Sequence, residues 1–256
     1  MKSLIAFVKK EFTEQIRSGK LIFLGMLFLL IGVMNPAVAK LTPFFIEMFA
    51  DSLSGSGIII TEIEVTAMDS WVQFFKNVPI ALIAYVLVES GIFTKEYQSG
   101  TLVLSLTKGL MRFKVVVAKT FTLFSIWTVG YWLIYVITYG YNSYFWDNSI
   151  AENLVLSAVC WWIFGLWVLA ILILFSVICT SNSIVLLGTS GVVFASYILG
   201  LIPKIEKLFP TKLMDGATLI YAKESVGDYV ISLIIALTMV IFCIAVSVYE
   251  FNKKQL

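Results

Sequence analysis

LVLSAVCWWIFGLWVLAILILFSVIC fills positions 154–179 without a single Asp, Glu, Lys or Arg. A helix rises about 1.5 Å per residue, so this run is long enough to cross a hydrocarbon layer roughly 30 Å thick. Apart from Ser157 and Ser176 it is continuously apolar rather than apolar at every second position, which favours a helix over a barrel strand of alternating polarity. Five further runs share the pattern, at 21–39, 74–93, 115–139, 184–202 and 229–249. Six transmembrane helices, an all-α polytopic membrane protein, is the predicted fold, with residues 1–256 forming a single transmembrane domain.

Composition agrees. Of 256 residues, 60% are apolar and 13% charged, against about 45–50% and 25% for a soluble domain. The net charge of +2 argues against a nucleic-acid binder. The chain has no histidine, which removes His-ligated zinc or haem and Ser-His or Cys-His hydrolysis. Cys160, Cys179 and Cys243 lie in or at the ends of apolar runs without CxxC spacing and read as inert thiols. No paired carboxylates sit at helical spacing within a span, so an intramembrane enzyme is a poor reading.

Basic residues set the predicted orientation. With the amino-terminal side inside, twelve fall inside (Lys2, Lys9, Lys10, Arg17, Lys20, Lys95, Lys108, Arg112, Lys114, Lys119, Lys253, Lys254) and six outside (Lys40, Lys76, Lys204, Lys207, Lys212, Lys223). Both termini are therefore expected to be cytoplasmic. The first apolar run follows some twenty amphipathic residues and is full length, unlike a cleaved signal peptide. Outside, residues 40–73 are expected to hold small helical pieces around a Ser54–Gly57 break. The Ile58–Ile60 run there suits a strand or a lipid-touching turn. Tyr141, Tyr144, Phe145 and Trp146 suit an interfacial aromatic belt. The 203–228 loop, with Pro203 and Pro210, suits two short helices dipping into the outer leaflet.

Residues 1–20 read as an amphipathic interfacial helix, with Ile5, Val8, Phe12 and Ile16 on one stripe and charged residues elsewhere. Between the second and third spans, Ser99-Gly100 breaks a short polar segment from a short apolar helix. A helix held beneath two spans can be pushed by a cytoplasmic motor; an ordinary inner loop with a lipid-facing helix is the alternative. Glu89 lies about one turn from the inner boundary, where an ionisable residue is costly. Snorkelling or pairing with Lys95 would satisfy it, and a gating role is the alternative. Lys76 and Lys119, near span ends, are expected to snorkel. Trp127, Tyr131, Tyr135 and Tyr139 recur every four residues and form one stripe. That stripe suits either helix packing or a pathway for an amphipathic cargo. Gly188, Gly191, Ser196 and Gly200 give the fifth span a small-residue face for close helix approach, within the chain or with a second copy.

These features resemble the permease subunits of type-2 ATP-binding-cassette (ABC) exporters over essentially the whole chain. The resemblance is carried by Lys9-Lys10-Glu11-Phe12 and Arg17, the six spans, Glu96, Gly100 and Thr101 as Glu-x-x-x-Gly-Thr, then Arg112 and Lys119. Gly109-Leu110-Met111-Arg112 stands where such permeases often have Pro-Ile-Ser-Arg. The resemblance implies a coupling helix within 98–108 that docks in an ATPase cleft, with contacts from Glu96, Tyr97, Gln98, Ser99, Gly100, Thr101, Leu102, Leu104 and Lys108. It implies outer re-entrant helices between spans five and six, and a bacterial plasma-membrane location. It also implies a second permease, as a homodimer, and two ATPase copies. The chain has no G-x-x-x-x-G-K-[ST] loop, since Gly19-Lys20 is followed by Leu21. No catalytic residue, cofactor or metal is expected here; ATP and Mg belong to the partner ATPase. The expected cargo is an amphipathic or hydrophobic peptide such as a toxin or bacteriocin. Lipid, drug or metalloenzyme-maturation cargo is the alternative, as is a channel or scaffold without ATP coupling.

Overall fold

The computed structural model describes residues 2–54, 64–107 and 109–254. The expectations for 55–63, among them the Ile58–Ile60 run, lie outside the described residues, as do Lys108 and the Leu104 side chain. The helices are α1 (Lys2–Arg17), α2 (Lys20–Ser54), α3 (Ala67–Glu89), α4 (Thr94–Ser99), α5 (Thr101–Thr107), α6 (Arg112–Phe145), α7 (Leu154–Ile178), α8 (Asn182–Gly200), α9 (Gly216–Ile220) and α10 (Gly227–Lys253). Single 3₁₀ turns occupy Asn148–Ile150, Glu206–Leu208 and Pro210–Met214. There is no strand among the described residues. Among the described residues, six helices are long and apolar enough to cross a membrane: α2, α3 with its continuation, α6, α7, α8 and α10.

Local chemistry sets the breaks. α1 stops at Ser18-Gly19, where Gly19 has φ +73°, and α2 starts at the next residue. α4 ends at Gly100, which has φ +67° and donates its N–H to the Tyr97 carbonyl at 3.4 Å. Only glycine takes that left-handed geometry without crowding its own Cβ. At the start of α3, the Thr66 N–H and hydroxyl both donate to Asp69 Oδ2, at 2.9 and 3.2 Å. α2 contains Pro36 and runs on past Ala39 through Pro43, and α6 carries Tyr141, Tyr144 and Phe145 outward as a helix. All three of those aromatics are exposed, and Lys40 Nζ lies 3.6 Å from the Phe145 ring centre.

α7 is the axis of the bundle, buried on nearly every face. The aromatic stripe of α6 packs onto it. Trp127 rests against Gly165, where any Cβ would overlap the indole. The Tyr131 hydroxyl donates to the Ala158 carbonyl at 2.7 Å, and Trp127 Nε1 to the Trp162 carbonyl at 3.3 Å. Borrowing a helical carbonyl satisfies each polar tip without a second polar side chain. On the other side of α6, Phe28 of α2 fills the space beside Gly130. Beyond it, Asn77 Nδ2 donates to Asn35 Oδ1 at 2.8 Å and Asn35 Nδ2 to Thr138 Oγ1 at 3.0 Å, joining α2, α3 and α6.

The end of the bundle opposite α1 is closed by the segment between α8 and α10. Trp161 Nε1 donates to the Met214 carbonyl at 2.8 Å, the Thr211 hydroxyl to the Ser196 carbonyl at 3.3 Å, and the Ser232 hydroxyl to the Lys207 carbonyl at 2.8 Å. The buried Lys212 ammonium meets Glu224 at 2.9 Å, Asp215 at 3.4 Å and Glu206 at 3.6 Å. Burial would lower the Lys212 pKa, but these carboxylates hold it above the ordinary lysine value. Burial raises Asp215, which Lys212 only partly offsets. Glu224 is held below its ordinary value, the Lys212 and Tyr229 bonds outweighing its burial.

Candidate functional site

The short α4–α5 segment sits at the end of the bundle that carries α1, between α3 and α6. Its anchor is Glu96, which is buried. Glu96 Oε2 lies 3.0 Å from Lys119 Nζ on α6, and Oε1 accepts from Lys10 Nζ on α1. Lys119 Nζ also donates to Glu11 Oε2 at 2.9 Å, and Lys10 reaches Glu11 Oε1 and Glu14 Oε2 at 3.0 Å each. Beside this cluster, the fully buried Glu89 accepts from Gln15 Nε2 at 2.7 Å and Lys20 Nζ at 3.2 Å. Lys10, Lys119 and Lys20 thus stand against Glu11, Glu96 and Glu89, so the inward-turned charge is balanced. Burial would lower the Lys10 pKa, yet Glu11 and Glu96 hold its ammonium well above the ordinary lysine value.

Two expectations are corrected. Lys119 does not snorkel: it is 1% exposed, and its Nζ lies over the Phe93 and Phe7 rings, 5.4 and 6.0 Å from their centres. Two carboxylates within 3.0 Å supply what the solvent would have. Glu89 does not pair with Lys95, whose stem lies over Gly91; its cation comes from Lys20. The orientation of α1 follows from the same cluster. Its inward face is Phe7, Glu11 and Gln15, while Ile5 and Ile16 on the apolar stripe are 65% and 53% exposed. This mixed face docks on protein with Val8 and Phe12 packed partly buried beside it, and the Ile5 and Ile16 edge of the apolar stripe points away, where acyl chains would cover it.

The rest of α4 reaches the other way. The Tyr97 hydroxyl donates to the Val177 carbonyl at 3.2 Å, and Gln98 Nε2 to the Thr180 carbonyl at 3.4 Å. The Thr94 hydroxyl bonds to Asn182 Oδ1 at the start of α8. Ser99 Oγ lies 2.9 Å from Thr101 Oγ1, bridging the Gly100 break. On α5, Leu102 is buried and Val103 exposed. The sequence reading missed Lys10, Glu11, Gln15 and Lys20 as members of this site. The available signal was the four-residue repeat Phe7, Glu11, Gln15, a polar stripe beside the apolar one.

The remaining candidates lie apart from this cluster. Trp127 and Tyr131 are wholly buried in the packing against α7. Tyr135 is also largely buried, in ring contact with Trp71 and Phe74, while Tyr139 is 45% exposed. The last two line an open cavity of about 680 Å³ at the far end of α6, with Trp146 and Asn148. On α8, three of the four small residues face this chain. A Cβ on Gly188 would come within 2.5 Å of Phe175, one on Gly200 within 2.8 Å of Thr211 Oγ1, and Ser196 is buried. Gly191 alone opens onto free space. Between α3 and α8, with α7 as its floor, lies an apolar groove of about 460 Å³ lined by Pro79, Leu82, Phe164, Val168, Leu186 and Val193.

No curated relative matches the chain. A family model described as ABC-2 family transporter protein matches residues 5–256. The match takes in α1, the charge-anchored α4–α5 segment and all six spans. The chain therefore belongs to the ABC-2 transporter family: it is a multi-pass membrane permease subunit of an ABC transporter, and its family implies an ABC ATPase as partner.

Proposed function

We infer that this permease exports an amphipathic or hydrophobic substrate, with a peptide such as a toxin or bacteriocin as the preferred cargo, and that the stroke of a separate ATPase enters through residues 96–108. The observation that carries this reading is the buried ion cluster around Glu96. Displacing α4 without displacing α1 and α6 would separate Glu96 from Lys10 and Lys119 in a water-poor setting, where unpaired charges are expensive. The coupling segment and the inner ends of α1 and α6 therefore move as one body, which turns a push from below into a tilt of the spans.

Two such permeases, as copies of this chain, pair with two ATPases that hold the ATP and Mg. The α1 end, which carries both termini, faces the cytoplasm of a bacterial cell, as the Lys/Arg distribution favours. No bond is made or broken in this chain. The apolar groove between α3 and α8 supports an apolar or amphipathic cargo. It would also take a lipid chain, so a lipid-exporting role is the second reading.

The test is co-purification with the ATPase, followed by ATP turnover in nanodiscs with an added amphipathic cationic peptide or added phospholipid. Peptide stimulation that is lost in Glu96→Gln supports the proposal. Stimulation by lipid alone transfers the cargo assignment to the second reading, and a permease that binds no ATPase refutes both.

A further inference from the structure

The ion cluster ties α4 to α1 and α6. A different set of side chains ties it to α7, α8 and α10, and at its centre is Lys254. This residue follows the last turn of α10 in extended conformation. Its ammonium turns onto the end of α7, where Nζ donates to the Val177 carbonyl at 2.6 Å and the Ile178 carbonyl at 3.1 Å. The last carbonyls of a helix have no partner within it and carry the negative end of its dipole, so a lysine there is a favourable cap.

The same ammonium lies 4.1 Å from the ring centre of Tyr97 on α4, whose hydroxyl shares the Val177 carbonyl. A cation over an aromatic face is attracted by the ring's charge distribution, more so when partly desolvated. The backbone at 254 is itself held. Arg112, the first residue of α6, donates Nη1 to the Phe251 carbonyl at 3.1 Å and to the Lys254 carbonyl. The contacts run from α4 to the end of α7, through Lys254 to α10, and through Arg112 to α6, and the Lys119–Glu96 pair closes the ring back to α4.

We propose that Lys254 is a positioning residue for coupling: it clasps Tyr97 to the last turn of α7, so that movement of α4 is delivered to the α7–α8 turn. The clasp rests on the coupling role assigned to α4. Gln98 and Thr94 add bonds to Thr180 and Asn182, and Lys254 adds the charged contact that spans both sides. The Tyr97–Val177 bond and the buried length of α7 do not depend on it, so its removal spares the fold.

Cys179 supplies a native reporter, because it caps α7 and is partly exposed whereas Cys160 and Cys243 are buried. The experiment measures maleimide alkylation of Cys179 in the permease–ATPase complex in nanodiscs, as the ratio of rates with and without ATP. In the wild type, nucleotide is expected to change the rate by roughly five-fold or more, a typical coupling between distant sites. In Lys254→Ala the ratio falls below about two-fold while thermal stability and ATPase binding persist, and Lys254→Arg restores it because a guanidinium reaches the same carbonyls and ring. An unchanged ratio in Lys254→Ala, with loss of the ratio in Glu96→Gln, overturns the clasp and leaves the coupling role of α4 standing. A ratio that survives both substitutions, or that is absent in the wild type, overturns both. Loss of ATPase binding or of folding in Lys254→Ala overturns the positioning role in favour of a structural one.

Discussion

Replacing Lys119 with Met keeps the length and packing of the stem and deletes the charge. Its ammonium lies 2.9 Å from Glu11 and 3.0 Å from Glu96, so at an effective dielectric near 20 each attraction is worth roughly 5–6 kcal/mol before desolvation. Removing the buried ammonium from water costs several kcal/mol, which cancels much of that gain. What remains after truncation is dominated by the carboxylates left behind. Lys10 then has to serve Glu11 and Glu96 together, with Glu14 also in reach. The expected loss is about 3–5 kcal/mol, the range for removing one partner from a buried pair. The double variant Lys119→Met/Glu11→Gln removes one charge of each sign and leaves Lys10 with Glu96. It should recover more than half of the loss, a coupling between the two sites that a double-mutant cycle isolates. Tryptophan-fluorescence unfolding in detergent, with seven tryptophans as the signal, reads both. If the double variant is as unstable as the sum of the singles, the cluster is not a charge-balanced unit and its role as a rigid transmission point loses its basis.

Other substitutions address separate links. Gly100→Ala forces a side chain into the left-handed region at φ +67° and should cost roughly 1–2 kcal/mol. It should also lower ATP turnover in the ATPase complex more than Ser99→Ala does. Gly188→Leu is expected to destabilise the monomer, because Phe175 already fills the site, whereas Gly191→Leu, facing open space, should be neutral in the monomer and weaken only pairing of two permeases; cross-linking in vesicles separates the two. The segment between α8 and α10 should be most resistant to proteolysis at intermediate pH. The lowered Glu224 pKa contributes stability that is present above its ordinary value near 4.5 and lost as pH falls through the folded value. The raised Lys212 pKa contributes stability that is present below its ordinary value near 10.5 and lost as pH rises through the folded value. Asp215 works against the acid loss, since its raised pKa means that protonation is easier in the folded state. Glu224→Gln should therefore flatten the acid limb, and an unchanged limb would refute that assignment.

Much of the architecture was legible in the chain itself, because a helix that must satisfy its own backbone in hydrocarbon leaves a long apolar run wherever it occurs. The uncharged 154–179 run, the break at Ser99-Gly100 and the costly Glu89 were all visible as local properties. What surrounds those residues was not. Lys119 and Glu96 read as separate charges near span ends, and only the packing of α1 against them supplies Glu11 and Lys10. α1 read as an amphipathic helix lying along the membrane surface, and only the packing shows that Phe7, Glu11 and Gln15 are its residues buried in the bundle. The small residues of α8 allowed either an intrachain or an intermolecular contact, and Phe175 and Thr211 decide that for Gly188 and Gly200. Hydropathy reports the cost of placing one residue in a given solvent, so it locates the spans. Ion pairing depends on where partners about a hundred positions away come to rest, and that is settled only when the helices pack.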